Sequence, residues 1–157
     1  TARKKLCICI TTADCLPILL YEFKQKVIAI IHAGWRGLYS EIIKKTISEM
    51  ISDYNCNPLY IKVLIGPSIC VNHYEIGVDL FFLIKDKFNF FNKIVYLNEN
   101  KIYLNIKKFA ELQLNECGII SENIKISEIC TYENEKFYSA RRDGKETGRF
   151  LSGIFMI

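Results

Sequence analysis

"PILLYEFKQKVIAIIH", residues 17–32, decides the fold. Residues 17–23 and 27–32 are apolar and rich in Ile, Leu and Val, and the polar Lys24-Gln25-Lys26 stands between them, so the stretch predicts two strands joined by a tight turn. An antiparallel hairpin about that turn places residues whose numbers sum to about 50 opposite one another. Pro17 then faces His32, and Cys15 emerges at the same end of the sheet as His32.

Outward from the hairpin, residues 6–12 ("LCICITT") predict a further strand. Residues 40–54 set Ile42, Ile43, Ile47, Met50 and Ile51 on one face of an amphipathic helix, with Ser40 as its N-cap. "YIKVLI", 60–65, alternates and ends at Gly-Pro, as a strand entering a turn does. Residues 77–88 predict a helix, 89–101 a connection with one strand at 93–97, and 105–117 an amphipathic helix stopped by Gly118. Strands at 124–130 and 148–157 complete the order β-β-β-α-β-α-β-α-β-β. An adjacent hairpin combined with helical crossovers implies an α+β fold with a mixed sheet rather than a doubly wound one.

The 157 residues make one domain's worth of chain, and 50% hydrophobic with 24% charged is the composition of a folded one. The net charge is +4 and the 21 Lys and Arg are dispersed, which argues against a nucleic-acid interface. Apolar runs such as 27–31 and 81–84 fall far short of the ~20 residues a bilayer needs, so no membrane partner is expected. Seven cysteines form no CxxC pair, and their odd number points to a reduced, cytoplasmic compartment rather than a disulfide framework. "TARKK" before "LCICI" is too short in apolar residues for a signal peptide.

Three segments carry chemistry. In 14–37, a thiolate from Cys15 and an imidazole from His32 suit Zn²⁺ at ~2.0–2.3 Å. Asp14 is placed to orient a ligand or accept a proton, and Arg36, between Gly34 and Gly37, to meet an anion. The competing reading is a buried structural thiol and a hydrogen-bonded core histidine, with Trp35 packing rather than stacking on a base. In 64–77, His73 and Cys70 are further donors that spacing alone does not bring to Cys15. In 130–150, Arg141, Arg142 and Arg149 lie among Ser139, Gly144, Thr147 and Gly148, which suits either an anion cradle or an exposed loop with surface charges. No GxxxxGK[ST] phosphate loop is present.

In this order, "TADCLPILL", "HAGWRGL", "IGPSI…YEIG", "YLNIKKFAELQLNECGI" and "CTYENEKFYSARRDGKETGR" resemble the laccase-domain family. That family was long labelled multicopper polyphenol oxidase, and its members are now regarded as zinc-dependent purine nucleoside phosphorylases. The resemblance covers the chain as a single domain, 1–157, and implies an α/β/β/α layered arrangement. It implies zinc on Cys15 and His32 together with an upstream His in a VHG-like motif. That His has no counterpart before Cys15, so the N-terminal portion of the family domain is expected to be missing.

The implied activity is phosphorolysis of adenosine, inosine or guanosine to base and ribose 1-phosphate, with adenosine deamination and methylthioadenosine cleavage related to it. The expected partners are purine nucleosides and phosphate. Asp14 and Arg36 are the catalytic candidates, and Ser139, Arg142 and Arg149 the phosphate-binding ones. The turn after "IGP" departs from the family pattern at Cys70 and His73, so no family role falls on His73. Two other readings stand beside this one: a copper-dependent polyphenol oxidase, which two histidines supply poorly, and a shortened, inactive member with an incomplete metal site.

Overall fold

The hairpin forms where its residues require it. β2, Leu16–Glu22, pairs antiparallel with β3, Val27–Ala33, and Pro17 lies opposite His32. At the turn, the carboxylate of the buried Glu22 accepts the Gln25 N–H, and Lys26 takes the left-handed conformation (φ 55°). The structure, a computed structural model, describes residues 1–157.

β4, Ile61–Ile65, joins the other edge of β2 antiparallel, and β8, Ile124–Ile126, runs parallel to β4, so the central sheet is mixed with order β3-β2-β4-β8. Strand alternation then sorts the side chains. Leu16, Ile18 and Leu20 share one face with Ile31, Ala33, Ile61, Val63 and Ile65, all in the main core. Two helices cover that face: α2, Ile42–Tyr54, with Ile43, Ile47 and Met50, and α4, Ile106–Glu116, with Phe109, Ala110 and Leu114. Each such Ile, Leu, Val, Met or Phe side chain contributes about 1.5–3 kcal/mol by leaving water, so this layer carries much of the stability. His32 belongs to the opposite face, against which lies a two-stranded ribbon of β1, Ile8–Thr12, and β9, Phe150–Ile154. Helices, central sheet and ribbon are stacked layers of an α+β fold.

The second helix is built as its sequence dictates. The Asn105 side chain caps it by accepting the Lys108 N–H at 2.9 Å, and Gly118, left-handed at φ 84°, ends it. Elsewhere the structure corrects the reading. Ser40 caps no N-terminus: a short helix, α1, Trp35–Tyr39, precedes it, Ser40 N–H closes that helix on Arg36 O, and a left-handed Glu41 starts α2. Sequence patterning missed α1 because five residues with Gly37 at their centre are too few to show a helical period.

Beyond β4 lie β5, Glu75–Ile76, then α3, Val78–Lys87, then β6, Val95–Asn98, and β7, Lys101–Leu104. These three strands form a sheet of order β5-β7-β6 where one strand was expected. The β6–β7 turn lacks the usual glycine, and Glu99 takes the positive φ (52°) instead, which hid the hairpin. Phe88 and Phe90 pack on Phe109, the Phe88–Phe109 centroids lying 4.9 Å apart, and so fasten this part to the helical layer. The expected strand 124–130 leaves the ladder after Ile126 and returns only as a parallel bridge between Ser68 and Cys130. A further short helix, α5, Ala140–Asp143, precedes β9. No helix is long and apolar enough to cross a membrane.

Candidate functional site

Asp14 organises the corner where β2 begins. It holds a positive φ of 85°, a conformation that disfavours most side chains, and three bonds keep it there. Its carbonyl accepts the Ile69 N–H at 3.1 Å, Oδ1 accepts from Thr131 Oγ1 at 2.7 Å, and Oδ2 accepts the Arg141 N–H at 2.7 Å. One buried residue thus ties together three segments, its backbone carbonyl holding the loop after β4 and its carboxylate the loop after β8 and the start of α5.

Cys15 follows at once, and the register carries it opposite Gly34, diagonal to His32 on the same face. Such diagonal neighbours lie ~7–8 Å apart at their backbones, within reach of one ion through a thiolate and an imidazole. Gly34 makes room for the thiol: a Cβ there would come within 2.8 Å of Cys15 Sγ. Burial pushes the half-buried Cys15 thiol up, Asp14 pushes it further, and Arg149 pulls it down. His32 is exposed. A thiolate and an imidazole are donor types that suit zinc, and a catalytic zinc takes three protein ligands.

Around Cys15 the chain gathers cations and one phenol. Tyr74 is pushed up to about 12 by burial and by the charges of Cys15 and Asp14, against Arg141 and Arg36. It therefore stays protonated at neutral pH as a hydrogen-bond donor. Arg141 stacks over its ring at 5.2 Å, and its guanidinium donates to Glu75 O at 3.0 Å and His73 O at 3.4 Å. Arg36 lies 4.3 Å over the Trp35 ring, exposed, and its guanidinium makes no hydrogen bond or ion pair within the chain. Its donors face solvent. The Trp35 indole is thereby a platform for a cation.

The expected phosphate residues divide. Arg142 spends all five N–H donors inside the chain, on Thr131 O, Tyr132 O and Phe137 O and on both Asp143 oxygens, which leaves none for an anion. The hydrogen bond with Asp143 raises the Arg142 pKa and lowers that of Asp143. Ser139 is fully buried, and its Oγ caps α5 by accepting the Arg142 N–H at 3.2 Å. Arg149 is exposed but folds back on its own loop, donating to Thr147 O, to Gly148 O at 2.9 Å and to Lys145 O at 3.2 Å. Of the two readings the sequence left open for this segment, cradle or exposed loop, the bonds favour a largely self-satisfied loop, whose Arg149 charge still acts on Cys15.

A second group of donors adjoins the two residues, Ile69 and Thr131, that bond Asp14. Cys70, Cys130 and Glu133 place one ligand atom each within 4.8 Å of one another, and such a group can hold a metal ion. Sequence reasoning named Cys70 and His73 only as remote possibilities for the first corner, and missed Cys130 and Glu133. The usable signal was that two neighbouring strands, β4 and β8, each run on into a cysteine. The largest surface cleft, about 610 Å³, is lined by Glu128, Cys130, Glu133 and Lys136 beside this second group, and another lies by Tyr21, Leu64 and Ile154, so the Cys15 corner is identified by its chemistry and not by concavity.

A metal-suited pair of donors at a sheet end, ringed by arginines on an α+β scaffold, defines the class. The family model described as multi-copper polyphenol oxidoreductase laccase matches residues 1–157, and the chain belongs to that family. Among curated proteins it is 35% identical over 159 residues to a purine nucleoside phosphorylase of Bacteroides thetaiotaomicron, covering 99% of this chain and 59% of that one. It is 33% identical to a purine nucleoside phosphorylase of Campylobacter jejuni (98% and 64% covered) and 32% identical to the adenosine deaminase RL5 of an unknown prokaryote (99% and 60%). The crystal structure of Bacillus licheniformis YfiH superposes with a TM-score of 0.94 at 28% identity, covering 99% of this chain and 60% of that one. YlmD of Geobacillus stearothermophilus superposes with a TM-score of 0.92 at 27% identity, covering 99% and 58%. The chain spans about three-fifths of the length of these relatives.

Proposed function

We propose that this chain carries part of the active site of a zinc-dependent purine nucleoside phosphorylase, with Cys15 and His32 as metal ligands. The observation that supports it best is the unpartnered Arg36 guanidinium beside the Cys15–Tyr74 corner, in a chain whose relatives are named for nucleoside phosphorolysis. In that reaction the C1′–N9 bond of the nucleoside breaks, a C1′–O bond to phosphate forms, and the leaving purine takes up a proton. Phosphate enters as an anion and the leaving base develops negative charge, and fixed cations stabilise both. Arg36 holds the phosphate with Arg149, and Tyr74 donates its O–H to the nucleoside. Asp14 acts as a positioning residue: with both oxygens taken by Thr131 and Arg141 it aims Cys15 and α5 instead of moving protons. Arg142 and Ser139 shape the loop that presents Arg149. Zinc, when bound, supplies Lewis acidity and a water made acidic enough to act near pH 7.

The test is hypoxanthine release from inosine by the zinc-loaded protein, with and without inorganic phosphate. Cys15→Ala is expected to lower turnover by about 100-fold or more, as loss of a metal ligand does. Arg36→Ala is expected to raise the phosphate KM about tenfold, the worth of one charge-assisted hydrogen bond. Equal turnover in wild type and Cys15→Ala sinks the assignment. The relative named adenosine deaminase favours a second activity of the same corner, and phosphate-independent conversion of adenosine to inosine measures it.

A further inference from the structure

β4 and β8 run parallel, and their chains stay paired after the strands end. Ser127 N–H donates to Ile65 O at 2.8 Å, Thr131 N–H to Ser68 O at 3.1 Å, and Ser68 bridges Cys130. This continuation brings together residues 60 positions apart: the Cys70 N–H points at Cys130 Sγ at 3.2 Å, and Cys70 Sγ lies 3.6 Å from Glu133 Oε1.

We propose that Cys70, Cys130 and Glu133 form a second zinc site, separate from the Cys15–His32 corner, that fastens the loop after β4 to the loop after β8. A tetrahedral zinc with Zn–S near 2.3 Å and Zn–O near 2.0 Å needs its sulfur and oxygen ligands about 3.5 Å apart and two sulfurs about 3.8 Å apart. The Cys70–Glu133 separation meets the first figure, and all three ligand atoms lie within 4.8 Å of one another. Two thiolates and a carboxylate suit zinc and disfavour magnesium and calcium, which prefer oxygen alone.

The surroundings fit this use. His73 Nε2 lies 2.9 Å from Glu133 Oε1, and its ring stacks on Tyr132 at 4.3 Å, so His73 is a positioning residue that aims the carboxylate. Lys107 spends its ammonium on Ser127 O (2.6 Å) and Ile129 O (3.2 Å). It thereby shapes the loop and offsets the charge of the three ligands without closing the site. Both loops also end on the first corner, through Ile69 N–H and Thr131 Oγ1 on Asp14, so the ion would brace the segments that carry Tyr74 and Arg141.

Cobalt(II) titration of the reduced protein tests the site, because thiolate-to-cobalt charge transfer reports cysteine ligation directly. Cys15→Ala, which removes the first corner, is expected to retain one equivalent of cobalt and the thiolate band, and Cys15→Ala with Cys70→Ser to lose both. Glu133 is exposed, so Glu133→Gln tests the site without endangering the fold. In the Cys15→Ala background it is expected to weaken cobalt binding about tenfold or more, and His73→Ala to weaken it less. Loss of all cobalt in Cys15→Ala alone overturns the proposal. So does affinity unchanged by Glu133→Gln, or a Cys70–Cys130 disulfide in the protein that reduction does not convert to a cobalt-binding form.

Discussion

The two corners that Asp14 links are assembled by opposite means. Cys15 and His32 lie within one hairpin, where a four-residue turn, 23–26, and antiparallel register carry the donors to the same sheet end. Cys70, Cys130 and Glu133 meet through a parallel pairing that spans 60 residues and is extended by loop bonds and a single bridge. The first costs little chain entropy to form, whereas the second requires the fold around it to exist already. One consequence is that the hairpin corner should tolerate damage in the loops, and the second should not.

Asp14 is the piece they share, so its loss has the largest effect. Asp14→Asn leaves a buried amide nitrogen against a backbone or hydroxyl donor, and each charge-assisted bond lost is worth ~1.5–3 kcal/mol. Urea denaturation is expected to show about 3 kcal/mol less stability. Cobalt affinity should fall more at Cys70–Cys130 than at Cys15–His32, and an equal fall at both corners would erase the contrast between them.

Gly34→Ala strikes only the hairpin corner. Its Cβ would meet Cys15 Sγ at 2.8 Å, and relieving an overlap of that kind costs about 1–3 kcal/mol. Turnover of inosine is expected to fall while the thiolate–cobalt signal of the second site stays intact. A loss of both signals would show that the corners are mechanically one.

The smallest effect concerns the Arg142–Asp143 pair, which holds the loop after α5. The Arg142 guanidinium holds the Asp143 carboxyl below its ordinary range, so the folded state binds that proton more weakly than the unfolded state. Its contribution is present above the unfolded carboxylate pKa of ~3.9 and lost as pH falls through the folded value. The Tm difference between wild type and Asp143→Asn should therefore be constant near neutrality and shrink below about pH 4. A difference that grows on acidification contradicts the sign.

How far the sequence could be read follows the same division. The register of β2 on β3, which sets Cys15 and His32 at one end of the sheet, and the helix from Asn105 to its stop at Gly118 rest on neighbours in the chain, and both were legible. The β6–β7 hairpin was not, because Glu99 fills the turn position where glycine would announce it. Nor was the fate of the arginines. "SARRDG" presents Arg141 and Arg142 as equals, yet one clamps Tyr74 while the other exhausts its donors on carbonyls and a carboxylate.

By itself the sequence determined the hairpin, the amphipathic helices, the α+β class and the donor types available at the end of β2, since each depends on periodicity, caps and turn position over a few residues. Only the tertiary structure decided which polar groups remain free. A guanidinium is available to an anion only if no backbone carbonyl is already in its reach, and the carbonyls that take Arg142 come from the loop after β8, brought there by the pairing of β8 with β4. The same pairing made neighbours of Cys70 and Cys130, a proximity that no local pattern encodes.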